Sequence, residues 1–271
     1  MHDDLAKRRA QMPEGTNRIL SARSLASDHR RLRQLLEPGQ AVLDAGCGNG
    51  AITAGILERA IPGGRVVGVD VNPRLIDEAN RRYGGDPRLT FRAGHIYDLE
   101  FRSEFDIVTC ARVLQWFSRP RAALDSLIRA AVSGGRVLVL DYNHEKAAWE
   151  PEPPAAFRRF YQAFLAWRRE AGMDNAVADR LVDMFTEAGP LDVAATPQHE
   201  TVRRGEPDFE RRISIWIDVI EGRGRQMVRD GAITEAERAA AQEEYAAWVR
   251  DEAPSQTLYL LAVEGTKPPA A

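Results

Sequence analysis

The chain has 271 residues, 44% of them hydrophobic and 28% charged, and a formal net charge of only −3. That much apolar material builds a sizeable core without a metal or disulfide staple, and the even mixture of acids and bases disfavours a dedicated nucleic-acid binder, which carries a basic excess. The opening Met1-His2-Asp3-Asp4 leads into no apolar run, so no secretory signal is expected. No window approaches the ~20 apolar residues of a membrane span. Two cysteines, Cys47 and Cys110, and five scattered histidines lack the ligand spacing of a zinc site. A cytoplasmic enzyme is expected, monomer or homodimer, with no metal, membrane or nucleic-acid partner.

Residues 1–15 read as polar and loose, and residues 18–36 as a helix. After the break at Glu37-Pro38-Gly39 the pattern changes. Residues 41–45 are a short apolar run ending in glycines, 51–60 have helical spacing, and 66–69 are a second β-branched run closed by Asp70. Residues 73–83 are helical, 89–93 a third strand, 105–110 a fourth, 119–132 a helix, and 136–142 the fifth and most apolar strand. Short continuous runs of Val, Ile and Leu, alternating with helices, predict strands covered on both faces of a parallel sheet. The fold class expected is a doubly wound α/β domain.

Beyond Tyr142 the rhythm stops. Trp149-Glu150-Pro151-Glu152-Pro153-Pro154 reads as a stiff acidic connector. Helices are predicted near 155–171, 175–188, 207–221 and 234–251, with strands at 191–197 and 257–263 and a polar tail at 264–271. The chain divides into an N-terminal helical segment (1–36), a cofactor-binding core (37–145), a helical substrate-covering insertion with one core strand (146–252), and a final strand and tail (253–271). This is one domain with an insertion, not two in series.

Gly46-Cys47-Gly48-Asn49-Gly50 lies between a predicted strand and a predicted helix, where missing side chains let a ligand lie against the backbone. Asp70 ends the second strand, and a carboxylate there can accept both hydroxyl protons of a ribose. A nucleoside-containing ligand follows. Gly46, Gly48 and Ala51 also fit the dinucleotide fingerprint G-x-G-x-x-A loosely. Gly50 and Asp44 tilt the balance: an anion at Asp44 repels a pyrophosphate and suits the ammonium of a methionine moiety.

Val42-Leu43-Asp44-Ala45-Gly46-Cys47-Gly48-Asn49-Gly50 resembles the first motif of the class I S-adenosylmethionine-dependent methyltransferases, and Val66-Val67-Gly68-Val69-Asp70-Val71-Asn72 their second. Phe91 to Ile96, Phe105 to Gln115 and Gly134 to Val139 are similar to the third, fourth and fifth strand motifs, in order. The resemblance implies S-adenosyl-L-methionine as cofactor and a seven-stranded, mostly parallel sheet with a final antiparallel hairpin. It implies a cofactor site built from Asp44, Gly46, Cys47, Gly48, Asn49 and Gly50, with Asp70, Val71, His95, Ile96 and Arg112. One departure stands out: His95 replaces an Asp that accepts from the adenine amino group, and either takes over that role through one neutral nitrogen or faces solvent.

Methyl transfer from a sulfonium needs alignment and exclusion of water more than a catalytic group. No catalytic residue is demanded; His144 and Tyr142, on the carboxyl edge after the fifth strand, are the candidates, with a surface histidine as the plainer reading of His144. Cys47 reads as a small residue tolerated in a tight loop, Cys110 as core, and Asp141 and Asn143 as loop caps. Helically spaced aromatics (Phe157, Phe160, Tyr161, Phe164, Trp167) and Trp216 read as core that also roofs a substrate cavity. The expected function is methyl transfer to a small organic acceptor at O, N or C. Ala111-Arg112-Val113-Leu114 stands where an amino-methylating nucleic-acid enzyme carries an N-P-P-Y-type tetrad. The alternatives are an NAD(P)-dependent oxidoreductase and a non-catalytic S-adenosylmethionine-binding module.

Overall fold

The structure, a computed structural model, describes residues 2–13, 17–189 and 191–269. Its strands are β1 (Ala41–Ala45), β2 (Arg65–Asp70), β3 (Leu89–Ala93), β4 (Phe105–Ala111), β5 (Ala131–Glu150), β6 (Asp192–Pro197), β7 (Glu200–Arg203) and β8 (Ser255–Thr266). They form one sheet in the order β3-β2-β1-β4-β5-β8-β6, with β7 also paired to β8. β1 to β5 are mutually parallel, and β8 enters antiparallel between β5 and β6. The order reverses between β1 and β4, so the connections leaving those strands diverge and open a crevice at their carboxyl ends.

The helices are α1 (His2–Ala10), α2 (Asn17–Ser21), α3 (Leu25–Asp28), α4 (Arg30–Leu35), α5 (Ala51–Ala60), α6 (Pro73–Tyr83), α7 (Pro120–Ala130), α8 (Ala155–Glu170), α9 (Val177–Glu187), α10 (Phe209–Ile213), α11 (Ile215–Arg229) and α12 (Glu235–Asp251). Alternate strand residues feed two cores. Val42, Val66, Leu138 and Leu140 pack with Leu25, Ile56 and Ile76, in a layer that continues into the aromatic faces of α8, α11 and α12. Leu43, Val67, Val108 and Val139 pack on the opposite side against Leu124 and Leu127 of α7 and Leu181 and Phe185 of α9. Each such side chain contributes about 1.5–3 kcal/mol on full burial.

Local chemistry sets several boundaries. α6 starts where the Asn72 side chain accepts from the Arg74 amide and Pro73 supplies a pre-set first turn. α12 starts at a reciprocal capping box between Thr234 and Glu237.

The structure corrects the sequence reading in four places. Residues 2–10 are helix α1 rather than loose chain, because Ala6 packs on Ala171 and Met173, and buried Arg9 bonds the Trp167 carbonyl, Glu170 and Asp230; Thr16 and its two preceding neighbours lie outside the described residues. The helix expected over 18–36 is three short ones. Ser24 caps α3 by accepting from the Ser27 amide, and His29 leaves helical geometry (φ −141°, ψ 56°) to bury its ring against Thr109. β5 runs on to Glu150 and β8 from Ser255 to Thr266, because the two pair with each other across an irregularity between Asn143 and Ala148. The helix expected over 207–221 is interrupted at Ser214 and runs on to Arg229, while Glu200–Arg203 adds an eighth strand, β7.

Candidate active site

β1 ends in a turn that only glycines fit. Gly46, Gly48 and Gly50 have φ of +86°, +56° and +81°, a region costly to L side chains. A Cβ at Gly46 would stand 2.4 Å from Val113 Cγ2, and one at Gly50 2.7 Å from Phe91 Cζ. The amides of Gly46 and Cys47 both donate to the Val69 carbonyl, at 2.7 and 3.1 Å. Asp70 then ties the turn to β2: its Oδ2 accepts from the Gly48 amide and its Oδ1 from the Asn72 amide, each at 2.9 Å. Burial raises the Asp70 pKa against those two donors, and each oxygen keeps a further lone pair.

Gly46, Gly48, Asp70, Val71, His95, Arg112, Tyr142 and His144 all lie on the wall of one cavity of about 770 Å³. Asp44, Cys47, Asn49, Gly50 and Ile96 do not. Asp44 is 4% exposed behind the turn, with its Oδ2 accepting from the Thr53 hydroxyl at 2.7 Å. Burial, partly offset by that bond and reinforced by Asp70, pushes its pKa up to about 6. Asn49 stitches the turn to neighbouring helices by donating to Ser21 Oγ and Glu78 Oε1. Cys47 is buried, which raises its thiol pKa well above the ordinary value, and Ile96 is core.

His95 is half-buried on the wall, and its Nδ1 accepts from the Tyr97 amide at 3.2 Å. Burial, then Lys7, lowers its pKa. With Nδ1 occupied as an acceptor, the neutral ring carries its proton on Nε2 and offers a donor there. It therefore cannot accept from an adenine amino group, as the Asp it replaces would.

His144 is buried and faces the cavity, which overturns the surface reading. Its Nε2 lies 2.6 Å from Gln115 Oε1, and Gln115 Nε2 donates to the Arg112 carbonyl at 3.1 Å. That second bond fixes which end of the amide meets the ring. Gln115 Oε1 can only accept, so His144 holds its proton on Nε2 and leaves the Nδ1 lone pair free of any partner among the described residues. The ring stacks on Tyr142 (5.1 Å between centroids), and burial together with Arg168 keeps its pKa well below the ordinary value. Tyr142 accepts from Arg112 Nε at 3.0 Å, and burial raises its pKa.

The sequence reading missed the roof. Asp3, Lys7, Leu20, Arg23 and Arg223 complete the wall, and Arg223 staples α1 in place by donating to the carbonyls of Arg9 and Gln11, at 2.6 and 2.7 Å. Leu5, Ala6 and Arg9, spaced along one helical face, were the only local signal.

Residues 43–139 match the family described as "Methyltransferase domain". Residues 43–139 are a methyltransferase domain. A malonyl-[acyl-carrier protein] O-methyltransferase of Anoxybacillus flavithermus is 27% identical to it over 41% of this chain and 42% of that protein. A demethylmenaquinone methyltransferase of Clavibacter sepedonicus is 32% identical over 60% of this chain and 62% of its own. The chain thus spans less than two-thirds of the length of these curated relatives. The YcgJ protein of Bacillus superposes with a TM-score of 0.57 at 18% identity, covering 90% of this chain and 99% of that one. Around this methyltransferase domain, no described helix is long and apolar enough to cross a membrane.

Proposed function

We propose that this chain transfers a methyl group from S-adenosyl-L-methionine to a small organic acceptor. The observation that carries the reading is the single cavity running from the Gly46–Gly48 turn and Asp70 at one end to Tyr142, His144 and Trp216 at the other. Its size falls within the ~300–1,000 Å³ of small-ligand sites.

The residues present fit the cofactor. The backbone of Gly46 and Gly48 lines the cavity where a ligand would lie against it, and Asp70 keeps lone pairs for two ribose hydroxyls. Val71 is 64% exposed, an apolar surface for one face of the adenine, and His95 Nε2 offers a donor suited to a ring nitrogen. Asp44 acts from behind the turn as a charge complementary to the cationic methionine portion, not as a contact. When bound, the cofactor supplies an activated methyl on a sulfonium.

The chain's own residues then orient and dry the acceptor. The helical insertion contributes Phe164, Ile215 and Trp216 to the wall and α1 contributes Ala6 and Ala10, an apolar lining that limits water around an acceptor held for in-line attack. The His144 Nδ1 lone pair is a base available to an acceptor that must shed a proton. Because burial weakens that base, acceptors that are already anionic or unprotonated at neutral pH are favoured.

Calorimetry with adenosylhomocysteine and with NAD tests the cofactor: heat is expected from the first alone, and tight NAD binding without the other would overturn the reading. Labelled methyl donor mixed with metabolite extract, followed by mass analysis, tests the transfer; a cofactor-binding protein that labels nothing in any extract is the binding module instead.

A further inference from the structure

The histidine at position 95 leaves the far end of the cofactor site short of an acceptor. Adenine carries a donor and an acceptor side by side on its outer edge, the amino group and the neighbouring ring nitrogen. His95 can serve only the second, because its Nδ1 accepts from the Tyr97 amide and its Nε2 is a donor. An amino group taken out of water without an acceptor loses a hydrogen bond and gains nothing in exchange.

The loop after β3 puts no replacement side chain on the wall. Ile96 is core, the Tyr97 hydroxyl is buried without a partner, and Asp98 is exposed away from the cavity. His95 itself packs with Tyr97 and Phe117, at 4.8 and 5.6 Å between ring centroids.

Helix α1 brings an acid to that cluster from outside the core. Asp3, in its first turn, stands on the wall of the same cavity as His95, beside Phe117 and Ser118. Its Oδ1 accepts from the Ser118 hydroxyl at 2.7 Å and its Oδ2 from Arg119 Nη2 at 2.8 Å, with Lys7 Nζ 3.9 Å from that second oxygen. The carboxylate is thus fixed next to Phe117, and Oδ1 keeps a second lone pair. It is close enough for its charge to act on the His95 ring. The helix that carries it is held in turn, by Arg9 on Asp230 and by Arg223 on the Arg9 carbonyl.

We infer that Asp3 accepts the hydrogen bond of the adenine amino group while His95 Nε2 donates to the adjacent ring nitrogen, so that α1 restores the acid absent from the loop after β3. Asp3 is thereby a specificity-determining residue for the cofactor, set in a segment without any motif. An oxo purine presents the opposite edge, an oxygen toward the carboxylate and a protonated nitrogen toward the imidazole N–H, and is rejected by both. The inference rests on S-adenosyl-L-methionine as cofactor, since it assigns the adenine end of that site.

The test is calorimetry on the full chain with three ligands: adenosylhomocysteine, its analogue lacking the purine amino group, and its analogue with an oxo group in that place. Wild type is expected to bind adenosylhomocysteine about ten-fold or more tighter than either analogue, the worth of a hydrogen bond to a charged group. Asp3→Ala should bring adenosylhomocysteine down to the affinity of the analogue lacking the amino group, while that analogue stays within about two-fold of its wild-type value, as a pairwise coupling requires. Asp3→Asn keeps an acceptor oxygen and should keep part of the preference. Equal losses for both ligands in Asp3→Ala would show that Asp3 only docks α1 and would overturn the inference. So would a wild type indifferent to the amino group, or a preference that survives Asp3→Ala. A wild type that binds none of the three would instead remove the cofactor reading beneath it.

Discussion

Asp44 is a buried acid whose charge works against the fold, and replacing it with Asn should make the protein more stable. The Asn carbonyl oxygen can still accept from the Thr53 hydroxyl, so shape and that hydrogen bond are retained while the charge is lost and an amide NH2 takes the place of Oδ1. Burial holds the Asp44 pKa at about 6 instead of 3.8. Ionising it in the folded state therefore costs roughly two pKa units, or about 3 kcal/mol at 1.36 kcal/mol each. Because the folded value lies above the unfolded one, the wild type keeps full stability below about pH 4 and loses it as pH rises through about 6. Asp44→Asn has no such loss. Its advantage should be about 3 kcal/mol at pH 7.5 and vanish near pH 4. For a chain of this length the unfolding entropy is about 0.6 kcal/mol per K, so the melting temperature should rise by about 5 °C at pH 7.5. Urea and thermal unfolding of both proteins from pH 4 to 8 provide the measurement, and Asp141, perturbed alike in both, cancels from the difference. Adenosylmethionine affinity should fall about ten-fold in the variant, since an anion near the cationic end of the ligand is gone. A variant no more stable than wild type at pH 7.5, or one equally advantaged at pH 4, would refute the electrostatic account.

Gly46→Ala should abolish measurable adenosylhomocysteine binding and lower stability by at least about 1–2 kcal/mol, since the new Cβ combines a positive φ with a 2.4 Å approach to Val113; calorimetry and a melting curve check both. The ring signals of His144, followed by NMR with labelled histidine, should stay those of a neutral imidazole protonated on Nε2 from pH 6 to 8, and a midpoint near 6.5 would contradict the Gln115 assignment. Arg168→Met should destabilise by about 3 kcal/mol in urea, because Gln115 O and Asn175 Oδ1 lose the charged donor that satisfies them; a loss below about 0.5 kcal/mol would show that those groups find other partners. His29 is held at a pKa of about 3 by burial and is neutral in the fold, so protonation favours unfolding as pH falls below about 6.5; His29→Gln should flatten that limb of the stability profile.

The parts that could be read from sequence are those whose cause lies within a few residues. β1, β3, α5 and α6 fall where the apolar runs, Pro73 and Asn72 place them, and the glycine turn with Asp70 is visible as a string. α1 was illegible because what orders it lies far along the chain: Arg9 reaches Trp167, Glu170 and Asp230, and Arg223 reaches back to it. The same reasoning covers the acceptor end. His144 was visible as a residue after β5, but its tautomer depends on Gln115 from another strand's exit. Arg23 carried no signal, since an arginine in a polar stretch looks like any solvated one until a cavity forms beside it.

β8 has a consequence for how the molecule is made. Three strands hydrogen-bond to it, and Leu260 and Tyr259 lie in register with Tyr142 and Asn143. During synthesis the turn at Gly46 and its carboxylate can form early, from segments close in sequence, whereas β5, paired on one side with β4, waits for its other neighbour more than a hundred residues downstream. The nascent chain therefore holds the outline of a nucleoside site long before the surface that chooses an acceptor exists, and the docking of one late strand turns the first into the second.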